Sequence, residues 1–130
     1  MAARLLLDTH VLVRWLIDSK RLSREQFQAL ERASARREPL AFSAITLLEI
    51  AVLAGDGKLE LNLSKFFAHL EGNPEFQLLP LSPEIAADAG SLSRLRDPAD
   101  RAIVATARVH GRRLVTSDER IVDSGLVPTL

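Results

Sequence analysis

The sequence predicts an α/β protein, a three-layer α/β/α sandwich around a central, mostly parallel sheet. Short apolar runs of three or four residues alternate with longer segments of helical periodicity. Alternation of this kind requires crossover connections, which build parallel sheets with helices on both faces. The chain has 130 residues and is 47% apolar, enough for one folded core. No repeat, low-complexity tract or long linker divides it, so residues 1–130 read as one domain.

Arg4-Leu5-Leu6-Leu7 reads as the first strand, followed by a helix through Val11, Leu12, Trp15 and Leu16. Trp15 lies one turn beyond Val11 and Leu12, which points to core packing. Ser23 caps an amphipathic helix to Ala35, with Phe27, Leu30 and Ala33 facing inward. Leu40-Ala41-Phe42 is the second strand. Ser43 then opens an unusually apolar helix that ends at Gly55. Further helices span Leu63 to Leu70 and Pro83 to Leu92, and Phe76 to Leu79 forms a strand closed by Pro80. Pro98 to His110 is a helix stopped by Gly111. Arg113 to Thr116 is a strand, and a short strand at Val127 closes the sheet. In folds of this type ligands gather beyond the carboxyl ends of the strands.

Composition excludes several classes of function. The chain has no cysteine, so it has neither disulfides nor thiolate metal sites. No apolar stretch approaches the roughly 18–20 residues that span a bilayer, and the N-terminus lacks the form of a signal peptide. A soluble, cytoplasmic protein without membrane contact is expected. Seventeen basic residues balance seventeen acidic ones, which argues against coating nucleic acid through bulk charge. Fourteen of the basic residues are arginine. Arginine suits bidentate phosphate contacts, although a GC-rich genome gives the same bias.

Four acids stand where acids are hard to explain. In "RDPADRAIVATA", Asp97 and Pro98 form a helix start, an N-cap followed by proline at the first helical position. Asp97 therefore has an adequate capping role. Asp100 precedes Ile103, Val104 and Ala107 at helical spacing, so it sits at the open end of the buried stripe. In "SAITLLEIAVLAG", Glu49 is the one ionisable residue. Burying an unpaired carboxylate is strongly unfavourable. Either an arginine pairs with Glu49 or a site requires it. Asp8 ends the first strand and Asp118 follows the Leu114-Val115-Thr116-Ser117 strand end. Each could cap a helix, yet a parallel sheet brings both to one rim.

Asp8, Glu49, Asp100 and Asp118 can therefore converge. Two unit charges about 4 Å apart repel by about 4 kcal/mol at an effective dielectric near 20, so protons or a cation must relieve the cluster. All-oxygen donors select a hard cation, Mg²⁺ or Mn²⁺, over Zn²⁺. His10, His69 and His110 have no spacing that suggests zinc; they read as a rim contact, a surface residue and a helix end. Carboxylate clusters of this kind support phosphoryl transfer, in which a metal polarises phosphate and activates water.

The four blocks "LLLDTH", "SAITLLEI", "DPADR" and "LVTSD", in this order and spacing, resemble the PIN-domain ribonucleases, above all the VapC-type toxins of bacterial toxin–antitoxin pairs. Gly57-Lys58-Leu59 is similar to a further family feature. The resemblance implies a Mg²⁺- or Mn²⁺-dependent endoribonuclease that holds its metal with Asp8, Glu49, Asp100 and the more variable Asp118. It implies supporting roles for Thr9, which orients Asp8, and for the hydroxyls of Thr116 and Ser117. Asp97 matches a recurrent, less central acid, in keeping with capping. Arg101 matches a recurrent basic residue. Arg14, Arg36, Arg37, Arg96 and Arg101 are candidates for gripping RNA. A small cognate antitoxin is implied, seated between the early helices, and so is a homodimer. Leu95 and Ala99 depart from the family's common histidine and phenylalanine, which bears on substrate fit more than on metal binding.

Rival readings fare worse. A phosphatase with a nucleophilic strand-end Asp usually has an acid two residues later, where this chain has His10. A receiver domain needs a lysine at a strand end, and Lys20, Lys58 and Lys65 do not supply it. From another class, a non-catalytic RNA-binding or scaffold module on the same fold would be favoured by loss of a core acid, and all are present.

Overall fold

The structure, a computed structural model, describes residues 4–130. Its strands are β1 (Leu5–Leu7), β2 (Leu40–Ser43), β3 (Phe76–Leu79) and β4 (Arg113–Val115). Helices α1 (Thr9–Ile17), α2 (Arg24–Ala35), α3 (Ala44–Gly55), α4 (Leu63–Leu70), α5 (Pro83–Ser91), α6 (Pro98–His110) and α7 (Glu119–Ser124) connect or follow them. All strand pairs are parallel, in the order β3-β2-β1-β4. The chain steps outward from β1 to β3 and then returns to the other side of β1. The order thus reverses between β1 and β4, and a crevice opens beyond the carboxyl ends at that reversal.

Side chains alternate across the pleat. Leu6, Ala41 and Leu114 face one layer, where they pack with Ile85 of α5, Ile103 of α6 and Ile121 of α7. Leu7, Leu40, Phe42 and Val115 face the other, against Val11 and Leu12 of α1, Leu30 of α2 and Phe66 of α4. Ile45 and Ile50 of α3 join opposite clusters, so this helix straddles both layers. The α/β/α arrangement expected from the sequence is the one observed. Trp15 packs on Phe27 with ring centroids 5.8 Å apart, in agreement with its core reading.

Three strand-to-helix joins matter for function because they are tight. Asp8 follows β1 and caps α1 through Thr9 N; Ser43 ends β2 and caps α3 through Ile45 N. Asp118, shortly after β4, caps α7 through Arg120 N. Each cap satisfies an orphan donor of its helix and fixes the residue on the carboxyl rim of the sheet.

The chain end differs from expectation. Val127 is buried but belongs to no strand. The final segment meets β4 through a single parallel bridge, Leu114 to Thr129, with Leu114 N donating to Pro128 O and Leu130 N donating to Leu114 O. Pro128 has no N–H to extend the ladder. Gln26 fastens this region from α2: its buried amide donates to Thr116 O and Leu130 O, each at 3.1 Å. Locally Gln26 completes the capping box with Ser23, and nothing in local patterning points to this second, long-range role. Gln26→Ala strips two carbonyls of their donor and should destabilise the fold by about 1–3 kcal/mol in urea unfolding. An unchanged midpoint would show that water replaces the amide at no loss.

Candidate active site

A cleft of about 280 Å³ opens at the carboxyl rim, lined by Asp8, Glu49, Asp97, Asp100 and Asp118 together with Thr9, His10, Arg14, Ser117 and Arg120. Asp8 is buried and held from both sides. Its Oδ1 accepts from Thr9 N at 2.8 Å, and its Oδ2 accepts from Thr116 Oγ1 at 2.7 Å. Thr116 Oγ1 in turn accepts from Asp118 N at 3.1 Å. One hydroxyl therefore links the ends of β1 and β4 to the start of α7.

A second hydroxyl relay orders Glu49. Thr9 Oγ1 donates to Glu49 Oε1 at 2.5 Å and lies 3.0 Å from the Oγ1 of Thr46. Thr9 has one hydroxyl proton, which goes to the carboxylate, so Thr46 donates to Thr9. Thr46 is fully buried one turn before Glu49. No arginine pairs with Glu49 among the described residues, so the ion-pair explanation of this acid drops out.

Negative charge is in excess here. Burial pushes the Asp100 carboxyl up to about 6, and the charges of Asp97, Asp8, Asp118 and Glu49 push the same way. Burial also raises Glu49 above its ordinary range, aided by Asp8 and Asp97 and opposed by the Thr9 hydrogen bond. Partial burial works to raise Asp118, but hydrogen bonds and charge from Arg120 outweigh it and hold that carboxyl low. Arg120 reaches Asp118 Oδ2 at 3.2 Å and Asp100 Oδ2 at 3.9 Å.

The structure thus gathers Asp8, Glu49, Asp97, Asp100 and Asp118 at one place. Asp97 also caps α6, accepting from Ala99 N at 2.9 Å, and Asp118 caps α7 while facing the cleft. Of the candidate arginines, only Arg14 lines the cleft. Arg36 and Arg37 lie between α2 and β2, at the amino end of the sheet and away from the acids. Arg96 is exposed on the loop before α6 and is not among the lining residues. Arg101 turns back to donate from Nε to Leu95 O at 2.6 Å, so it braces the loop before α6, and it is not among the residues lining the cleft. Arg120 was missed, although its position two residues after Asp118, in the first turn of a helix, was a signal.

The sequence matches the PIN domain family over residues 5–124. The chain belongs to that family. It is 38% identical over 118 residues to Ribonuclease VapC22 of Mycobacterium tuberculosis, covering 89% of this chain and 88% of that one. The structure is similar to that of VapBC2 from Rickettsia felis, bound to a DNA fragment from its promoter, with a TM-score of 0.71 at 19% identity over 100% and 98% of the chains. It is also similar to FitAcB from Neisseria gonorrhoeae, with a TM-score of 0.68 at 26% identity over 97% and 96%.

PIN-domain nucleases use divalent metal ions, and the donor set here fits one. Five carboxylates face one space with few cations to balance them, and all donors are oxygen. Among the described residues, no three Asp, Glu or His side chains are drawn closely enough together to enclose an ion unaided. The acids line a cleft, which leaves room for water and substrate oxygens in the coordination shell, as Mg²⁺ commonly retains.

The charge excess has a consequence for stability. The Asp100 carboxyl lies at about 6 in the fold against an ordinary value of 3.8. A raised acid contributes stability that is fully present below the unfolded value and is lost as pH rises through the folded one. Metal-free Asp100→Asn should therefore melt above the wild type at pH 7.5, with the gain shrinking as pH falls from about 6 toward 4. A gain that stays constant across this window would mean that the fold does not raise the Asp100 carboxyl, by burial or by its neighbours' charge.

Proposed function

We propose that this chain is a Mg²⁺- or Mn²⁺-dependent endoribonuclease that acts as the toxin of a toxin–antitoxin pair. The observation that carries the reading is the meeting of Asp8, Glu49, Asp100 and Asp118 in one cleft at the strand-order reversal, in a chain 38% identical to a named ribonuclease. Those four acids would hold the metal. Bound there, a divalent cation polarises a phosphate oxygen and lowers the pKa of an attacking water.

The chain's own residues supply the positioning. Thr116 fixes the free rotation of Asp8, and Thr9, backed by Thr46, fixes Glu49. Asp97 sets the start of α6 and so the direction of Asp100. Arg14 and Arg120 stand at the mouth as cations for the phosphates of RNA. His10 and Ser117 complete the wall. Water is the nucleophile, so the products are a 5′-phosphate and a 3′-hydroxyl, and the RNA 2′-OH is not consumed.

Two protein partners belong to this reading. A cognate antitoxin is supported by the toxin–antitoxin complexes among the structural neighbours. A groove of about 230 Å³ beside the cleft shares His10 and Arg14 with it and adds Val13, Arg21 and Leu53. This groove suits an extended segment with apolar and acidic side chains. A homodimer is supported by α3, where Leu48 and Val52 are more than half exposed on an otherwise apolar helix.

Cleavage of a panel of structured RNAs tests the function. Wild type with Mg²⁺ or Mn²⁺ should cut, EDTA should stop it, and Asp8→Asn should lower the rate by about a hundredfold to a thousandfold, as loss of a central charge-stabilising group does. Equal cutting by wild type and Asp8→Asn, or 2′,3′-cyclic phosphate ends, would sink the reading. Arg120→Ala should bind Mn²⁺ more tightly in calorimetry, by no more than about fivefold because exposed ion pairs are weak. Weaker Mn²⁺ binding in that variant would make Arg120 a structural support for the acids and not a competitor for them.

A further inference from the structure

The opposite end of the sheet carries the reverse charge. An open cavity of about 890 Å³ is lined there by Arg4, Arg108, Arg112 and Arg113, with Val127 and Pro128 as an apolar wall. Arg112 and Arg113 lead into β4, whereas Asp118 follows it, so this cavity and the carboxylate cleft lie at opposite ends of one strand.

Arg112 is the unusual residue. It is 8% exposed, and its Nε and one Nη are buried without a hydrogen-bond partner. The backbone holds it in place: Gly111 ends α6 in the left-handed conformation at φ 63, and Arg112 N donates back to Ala107 O at 2.8 Å. Buried guanidinium groups keep their charge, and buried charges normally occur paired. Burial pushes the Arg112 pKa below the ordinary arginine value, as expected of a cation that has lost water and gained no anion.

Its neighbours do not supply that anion. Arg108 is matched by Asp88 at 2.9 Å and by Leu126 O at 2.8 Å. Arg113 donates to Thr129 O at 3.0 Å. Among the described residues, neither Arg112 nor Arg113 has a carboxylate partner. The cavity is thus walled by fork-shaped donors, of which Arg112 is buried and Arg108 and Arg113 are exposed, and no carboxylate is among its described lining residues.

We propose that this cavity binds a phosphate group through Arg112 and Arg113. Guanidinium forks match phosphate oxygens in pairs, and a charge-assisted contact of this kind is about twice as strong as a neutral one. The phosphate comes either from RNA backbone running outside the cleft, a source that rests on the function proposed above, or from a free phosphorylated small molecule.

Thermal unfolding of the full chain in EDTA tests the site, with sodium phosphate titrated against chloride at matched ionic strength. Phosphate should raise the wild-type midpoint saturably. Arg112→Met should melt above the wild type without phosphate, because an unpaired buried charge is gone, and should lose the phosphate response. Arg113→Ala, altered at an exposed residue, should bind phosphate at least about tenfold more weakly. Equal responses in wild type and both variants would overturn the site, since phosphate stabilises many proteins by exclusion from their surface. If Arg112→Met does not fold, the Arg112 Nε–H resonance of the wild type decides: a saturable shift with phosphate supports the site and an unmoved signal overturns it. Asp8→Asn should keep the phosphate response whether or not the nuclease reading stands.

Metal-free binding of a single-stranded RNA then separates the sources. Weaker binding with a shallower salt dependence in Arg113→Ala assigns RNA phosphate. Unchanged RNA binding beside a lost phosphate response assigns the small molecule.

Discussion

The hydrogen bond from Thr116 Oγ1 to Asp8 Oδ2 crosses from the end of β4 to the end of β1, and the cleft is organised around it. It can form only because the sheet places β4 beside β1 in parallel register, Leu7 opposite Val115. Those two strands are the first and last of the sheet in sequence, so the site closes late in the chain. Asp8 N donates to Val115 O at 3.0 Å, Thr116 N donates to Leu130 O at 3.2 Å, and Gln26 grips both Thr116 O and Leu130 O. The backbone around Asp8 is therefore saturated with hydrogen bonds. Its carboxylate has both oxygens committed to donors and no freedom to turn away from its neighbours.

That rigidity explains how the fold tolerates so much like charge. Flexible carboxylates would swing apart into solvent and lower the repulsion. Here the tight joins after β1 and β4, and the first turn of α6, hold Asp8, Asp118 and Asp100 toward one space. Burial, with that repulsion added to it, raises the Asp100 carboxyl. Arg120 relieves part of it from an exposed position that it can leave at little loss. The arrangement leaves an excess of negative charge in the folded state, which a proton on Asp100 or a cation in the cleft relieves.

Much of this was legible in the sequence, because the signals were local conflicts. Glu49 in an apolar helix and Asp100 at the mouth of a buried stripe each broke the pattern around them. Asp8 and Asp118 were legible as strand-end acids, and the alternation of elements was enough to put them on one rim. The arginines were not legible in the same way. Helical periodicity assigns a residue to a face but not to an end of the sheet, and Arg36 and Arg37 fell at the wrong end. Nor does any one-dimensional pattern foretell that Arg101 folds back onto the carbonyl six residues earlier. The partnership of Gln26 with residues 116 and 130 is likewise a product of tertiary closure.

The balanced composition conceals the most consequential feature of the charge. Seventeen positive and seventeen negative residues sum to zero, yet β4 carries arginines at its amino end and an acid cluster beyond its carboxyl end. The field of the protein is set by this separation and not by the sum. A polyanion near the molecule is repelled by the bare cleft and attracted to the far end of the sheet. Only cations at the cleft remove the first of these effects, and Arg14 and Arg120 are too few to do so against five carboxylates. Approach of a nucleic acid to the acids and occupation of the acids by a divalent cation are therefore coupled by electrostatics alone, before any chemistry takes place.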